Sequence, residues 1–213
     1  MSNNTNNRNS IEISNPDEKE IVSAFIFLND GIPYLRRAMN EDLERGKWGV
    51  PAGHIDKTDA SPLAAMIREA NEETKLKVDP DKTIYLGAYR TVAKGPDGAV
   101  KEKLLAHAFL VIIPDHFLSD VKINPETHSD KITLHMDDIK AYYVQLIQPL
   151  LRGAIKTTML SIEELATPDI DLIRACFPAL KEITTKMALT LTALSFANPK
   201  EFNSLKIDKS RVY

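Results

Sequence analysis

Cysteine is almost missing from this chain: Cys176 is the single thiol among 213 residues, so no intrachain disulfide can staple a small secreted scaffold together. Neither sign of charge dominates. Acids outnumber bases by only 30 to 27, for a formal net charge of −3. The broad basic field that drives non-specific nucleic-acid binding is therefore absent. Long apolar runs are missing as well. The longest late stretch, Met187 to Ala197, is interrupted by Thr and Ser and is too short to span a bilayer. The Asn- and Ser-rich opening, to about Glu18, lacks the basic start and apolar run of a secretory signal and the Arg content of a transit peptide. It has too little apolar surface to offset the entropy of ordering and is expected to stay flexible. A cytoplasmic protein with no membrane partner is the expectation.

What remains is a core-forming chain, 43% hydrophobic, long enough for one elaborated domain or two small ones. Ile21 to Leu28 is a β-rich apolar run, and Asn29-Asp30-Gly31 is a turn signal. Tyr34 to Arg37 reads as the returning strand of a hairpin. Trp48-Gly49-Val50-Pro51-Ala52-Gly53 is a rigid, turn-prone passage. Ser61-Pro62 opens a helix, with Ser as N-cap and Pro at the first helical position. Leu63, Met66, Ile67 and Ala70 supply its apolar face, and it should fade near Leu76 to Val78. Strands are predicted over Thr83–Val92 and Leu104–Ile113, and a polar loop over Pro125–Asp130. A helix is predicted over Asp137–Leu151 with Ile139, Tyr142, Tyr143, Leu146 and Ile147 on one side. Met159 to Leu165 suits a short strand leading into a helix. A last helical region from Asp169 to about Ser195 should break near Pro178. Strands alternate with helices and nothing repeats, which favours a mixed α/β layer architecture.

The chemistry concentrates in Arg68-Glu69-Ala70-Asn71-Glu72-Glu73. Helix positions three and four apart share a face, so Glu69, Glu72 and Glu73 project three carboxylates from about one turn. They repel one another unless a counter-charge is supplied. Arg68 can pair with Glu72 or a neighbouring acid, but one cation does not neutralise three anions. A hard divalent cation is the natural complement: Mg²⁺ takes oxygen ligands and shares them with waters and substrate phosphates. Such a run alone is usually a solvated helix face. The Trp-Gly-x-Pro-x-Gly loop, the capped helix start and the preceding strands make the constellation far more specific.

Taken together, Gly53 to Leu76 resembles the Nudix box, G-x5-E-x7-R-E-U-x-E-E-x-G-U with U a bulky aliphatic, and Lys47 to Gly53 resembles its usual lead-in. The resemblance implies a Nudix-type α/β/α sandwich with a mixed sheet. On this division residues 1–18 are a tail, 19–168 the Nudix domain with a partly helical insertion at about 115–158, and 169–213 a helical C-terminal extension. It implies hydrolysis of a pyrophosphate bond in a nucleoside diphosphate linked to another moiety, such as a nucleotide-sugar. By position, Glu72 and Glu73 would be the principal metal ligands, and Glu69 a further ligand or an aid to water activation. The Gly53 carbonyl would complete the site and Arg68 would orient the carboxylates. Mg²⁺ is the implied cofactor, with Mn²⁺ a substitute. In similar proteins a Glu from a late loop sometimes serves as general base, which nominates Glu126; a mobile surface loop is the plainer reading.

The chain departs from the pattern in three places. The loop between Gly53 and Arg68 is one residue longer than the pattern. The early Glu is replaced by Asp59 when counted from Gly53, or by Ala60 when counted back from the helix. Lys75 stands where the pattern has its late Gly. These departures support an alternative, a Nudix-like nucleotide-binding or regulatory module without hydrolytic activity. Among other residues, His54 suits a phosphate contact or simple exposure, and Trp48 suits stacking on a base or packing against the helix. Arg36, Arg37 and Arg90 suit phosphate contacts or solvated strand edges. Cys176, between Ala175 and Phe177, suits core packing rather than nucleophilic chemistry. The expected partner is a small nucleotide-type substrate, with nucleic acid entering only as a capped RNA end, and a second copy of the chain is a candidate partner through the C-terminal helices.

Overall fold

The computed structural model describes residues 17–148 and 160–197. The expected tail up to residue 16, the part of the 115–158 insertion from residue 149 onward, and residues 198–213 lie outside the described residues. The chain forms strands β1 (Lys19–Phe27), β2 (Ile32–Arg37), β3 (Trp48–Gly49) and β4 (Ala52–His54), then helix α1 (Pro62–Thr74). Strands β5 (Thr83–Lys94), β6 (Val100–Ile112) and β7 (His128–Leu134) follow, then helices α2 (Met136–Ile147) and α3 (Thr167–Ala197).

Two sheets result, one ordered β4-β1-β6-β5 and one ordered β3-β2-β7. Strand β1 runs parallel to β6, while the β4–β1 and β5–β6 pairs are antiparallel, so the larger sheet is mixed. The period-2 alternation of β1 decides the layers. Val22, Ala24 and Ile26 pack with Ala65, Met66 and Ala70 of α1, whereas Ile21 and Phe25 face a core shared with Tyr34, Trp48, Tyr142 of α2 and Leu172 of α3. Helices thus cover both sides of the sheets, as an α/β/α sandwich requires.

The hairpin expected of β1 and β2 is corrected. The Asn29-Asp30-Gly31 turn is present, closed by a Leu28–Gly31 bridge, but the strands then part into different sheets. Both edges of β1 are taken, by β4 and β6, and β2 finds its partner in β7. Gly31 permits this, because at φ 125° a Cβ would lie 2.4 Å from Thr133 of β7. The Trp48–Gly53 passage is also more than a turn. Trp48–Gly49 adds to β2 and Ala52–His54 adds to β1, so these residues stitch the two sheets together.

Four later expectations change. The loop expected over Pro125–Asp130 turns into strand β7 at His128; its exposed Ser129 and Asp130 hide the strand period. Helix α2 buries Ile139, Tyr142 and Leu146, but Ile147 is exposed. Met159 to Leu165 holds no strand among its described residues: Ile162–Glu164 is a single 3-10 turn and Leu165 makes one bridge to Trp48. Helix α3 runs through Pro178 without a break. Proline removes the donor to the carbonyl four residues back, here Arg174, and both Arg174 and Pro178 are exposed, so water can take the orphaned carbonyl.

Helix α1 begins as its sequence specifies. The Ala64 N–H donates to Ser61 Oγ at 3.2 Å, and Pro62 sits in the first turn. It ends on Lys75, whose φ of 58° places a non-glycine residue in the left-handed region. That conformation costs a side-chain-bearing residue about 1–2 kcal/mol, partly offset by the lower unfolded-state entropy of lysine relative to glycine. Lys75→Gly should therefore stabilise the protein by about 0.5–1 kcal/mol, read as a higher urea midpoint at unchanged slope.

Candidate active site

Arg68 is the hub of the acidic helix face. Its Nε and Nη2 donate to the two oxygens of Asp59 at 3.1 and 2.9 Å, a bidentate pair. Nη2 also donates to the His54 carbonyl at 2.8 Å, and Nη1 donates to Glu69 at 2.7 Å and Glu72 at 3.4 Å. Asp56 completes the ring of acceptors at 3.6 Å. Hydrogen bonding to Arg68 holds the Asp59 carboxyl below its ordinary range, and Asp59 in turn raises the guanidinium's pKa. The one-residue-longer loop has a physical counterpart. The Asp59 N–H donates to the Asp56 carbonyl and the Asp56 N–H donates to Asp59 Oδ2. This closed turn carries the shorter acid up to Arg68.

Glu69 lies against the backbone of β4. A Cβ on Gly53 would sit 2.1 Å from the Glu69 carboxyl carbon, so only glycine leaves room for the carboxylate there. Burial pushes the Glu69 pKa up, Arg68 pulls it back, and Glu72 adds to the rise. Glu73 is more deeply placed. Its Oε2 accepts the Ala52 N–H at 2.9 Å, and its Oε1 stands 3.7 Å from His128 Nε2. Burial pushes the Glu73 carboxyl up to about 8, with Arg37 opposing and Glu69 and Asp169 adding to the rise. His128, buried with Thr127 Oγ1 at 3.0 Å from its Nδ1, is pushed down to about 4 by burial and by Arg37. Burial thus favours the uncharged form of both the acid and the imidazole in the metal-free pair.

The donor set suits a hard divalent cation. Glu69, Glu72, Glu73 and the Gly53 carbonyl are all oxygen donors, and burial, the main cause of the raised Glu69 and Glu73 pKa values, penalises their negative charge, which a bound cation would offset. Among the described residues no three acidic, histidine or cysteine side chains form a ready-made metal cage; Glu69 and Glu72 are turned onto Arg68. Mg²⁺ does not need such a cage, since it is held through one or two carboxylates together with waters and substrate phosphates.

The other nominated residues fall in different places. His54 is exposed, its Nε2 3.1 Å from Glu102, which also pairs with Lys19; its carbonyl, not its ring, reaches the Arg68 hub. Trp48 is buried in the core, with the Arg36 guanidinium 5.9 Å from its ring centroid, so its indole packs instead of offering a stacking face. Arg36 itself is exposed and donates to the Gly46 carbonyl at 3.1 Å. Arg90 pairs with Glu18 at 3.1 Å. The Glu126 side chain is exposed on a turn whose backbone bonds to Asn124 and Asn40. Two residues further on, His128 is the group that reaches Glu73. Cys176 is buried, and burial raises its thiol to about 11, far from a reactive thiolate.

Sequence reasoning did not find His128 or Asp169. Asp169, at the start of α3, is buried, accepts the Val50 N–H at 2.7 Å, and is pushed up to about 7 by burial. Arg37 was legible only as one of three basic strand residues. On the strand it points opposite to Arg36, within electrostatic reach of Glu73, His128 and Asp169.

A NUDIX domain profile matches residues 18–149, and the chain belongs to that family. No curated protein matches it. Among solved structures, a MutT/nudix family protein from Enterococcus faecalis is 12% identical, with 94% of this chain and 80% of that one covered at a TM-score of 0.53. The NUDIX domain of NrtR from Shewanella oneidensis, solved with ADP ribose, is 16% identical, covering 76% of this chain and 88% of that one at a TM-score of 0.51. These likenesses bear on the fold.

Proposed function

We propose that the protein is a divalent-metal-dependent hydrolase that cleaves a pyrophosphate bond in a nucleoside diphosphate linked to another moiety. The observation that carries this reading is the Glu73 carboxyl, buried, hydrogen-bonded to the Ala52 N–H and raised to about 8 beside Glu69. An acid so placed gains most from a bound cation. Glu69, Glu72, Glu73 and the Gly53 carbonyl would hold it. When bound, the cation supplies Lewis-acid stabilisation of charge developing on the phosphoryl oxygens. Arg68 fixes the rotamers of Glu69 and Glu72, and Ala52 fixes Glu73. Water attacks one phosphorus and gives up its protons to solvent, the P–O bond of the anhydride breaks, and the nucleotide half leaves as a phosphate monoester while the other half leaves carrying the second phosphate.

The test is a screen of wild type and Glu72→Gln with Mg²⁺ and Mn²⁺ against nucleoside triphosphates, ADP ribose, nucleotide-sugars, dinucleoside polyphosphates and capped RNA. ADP ribose leads because the similarly folded NrtR domain was solved with it. Turnover of one class, reduced about 100-fold or more in the variant, is the expected outcome. Tight nucleotide binding by wild type with no phosphate ester released would sink the hydrolase reading and favour the binding module.

A further inference from the structure

Helix α3 lies beyond the residues that the family profile matches, yet its first turn is built into the loop that presents the site. The passage from Trp48 to Gly53 is pinned at successive backbone groups. The Ala166 N–H donates to the Trp48 carbonyl at 2.8 Å, and the Val50 N–H donates to Asp169 Oδ1 at 2.7 Å. The Ala24 N–H donates to the Pro51 carbonyl at 3.0 Å, and the Ala52 N–H donates to Glu73 at 2.9 Å. The first two pins come from Ala166, just before α3, and from Asp169 in its first turn, and the last is a proposed metal ligand. Asp169 also touches Gly49: a Cβ there would lie 2.5 Å from Asp169 Oδ2. The helix start is anchored in turn, because the Thr167 N–H donates to the buried Glu44 at 3.1 Å. Tyr89 donates to the Pro168 carbonyl at 3.3 Å, and Thr91 donates to Asp171 at 2.8 Å.

We propose that Asp169 is a positioning residue of this site, seating Val50 so that the Ala52 N–H and the Gly53 carbonyl are held in place for Glu73 and the metal. Pro51, with its fixed φ, passes the position of Val50 directly to Ala52. A carboxylate on this scale of constraint matters because misplacement of about 1 Å costs about 100-fold in rate. The inference rests on the proposed hydrolase reading.

It is tested with Asp169→Ala, Asp169→Asn and Gly49→Ala, comparing kcat, KM, Mn²⁺ affinity and thermal midpoint with wild type. Asp169→Ala should lower kcat about 10–100-fold per folded molecule and weaken Mn²⁺ binding, with a smaller change in KM. Asp169→Asn keeps an oxygen for the Val50 N–H and should recover most of kcat. Gly49→Ala leaves α3 intact but drives Asp169 off the loop, and should reproduce the alanine phenotype even where Asp169→Ala fails to fold. Wild-type kcat and Mn²⁺ affinity in a folded Asp169→Ala or in Gly49→Ala would overturn the proposal, as would a failure of Asp169→Asn to improve on alanine. If wild type hydrolyses no pyrophosphate, the hydrolase reading fails by itself, and Mn²⁺ affinity across the same variants still decides the positioning role.

Discussion

Replacing Glu73 with glutamine is expected to lower kcat by roughly three orders of magnitude while leaving the metal-free fold at least as stable as before. Glutamine keeps an oxygen for the Ala52 N–H but removes the anionic charge that a cation would use. Loss of several kcal/mol of transition-state stabilisation, at about 1.4 kcal/mol per factor of ten, gives that scale. Stability moves the other way. The Glu73 carboxyl stands at about 8 in the folded protein against an ordinary value of 4.5. Between those values the unfolded chain binds fewer protons, so stability falls as pH rises, with a slope on the order of 1 kcal/mol per pH unit. Asp169 acts with the same sign up to about 7. His128, lowered to about 4 from 6.5, acts with the opposite sign between those values. Above about pH 7, where Asp169 has largely titrated, the slope comes mainly from Glu73. Urea melts of the metal-free protein should slope downward there for wild type and be markedly flatter for Glu73→Gln.

Arg68→Lys should cost about 10–100-fold in activity or metal affinity, despite keeping the charge. The guanidinium satisfies Asp59 bidentately while also reaching Glu69, Glu72 and the His54 carbonyl. An ammonium is a compact charge without that planar fork. It can serve part of the ring of acceptors and leaves the remainder of Asp59, Glu69 and Glu72 to repel one another. Steady-state kinetics and Mn²⁺ titration of the folded variant check this. Asp59→Asn, which leaves Glu69 and Glu72 their cation, should lose less than Arg68→Lys does.

Local sequence carried the parts of the fold that local physics determines. Ser61-Pro62 starts α1 where capping chemistry says it should, and the β-rich apolar run at β1 and the stretches at β5 and β6 are real strands. The Arg68–Glu73 run lies on one helix, so its spacing alone put the acids on one face. The early acid was legible as Asp59 only by counting; its bidentate grip on Arg68 depends on a closed turn that counting cannot show. Lys75 adopts the left-handed cap that the family pattern gives to glycine. What escaped were groups delivered by distant elements. His128 reaches Glu73 because β7 pairs with β2, and Asp169 reaches Val50 because α3 docks at the seam between the sheets. Both sit in polar runs whose local pattern says only loop or helix start. The hairpin failed for the same reason: the turn was local, but the partners of β1 and β2 were not.

That the Glu69, Glu72 and Glu73 face holds a divalent cation is decided by calorimetric titration with Mn²⁺ in two buffers of different ionisation enthalpy. With Glu73 at about 8 in the metal-free protein, binding at pH 7 must expel its proton. Wild type should bind Mn²⁺ and release close to one proton per ion at pH 7, falling toward none at pH 9, while Glu73→Gln binds weakly and releases none. Absence of Mn²⁺ binding by wild type, or binding of equal strength and proton release in Glu73→Gln, would contradict it.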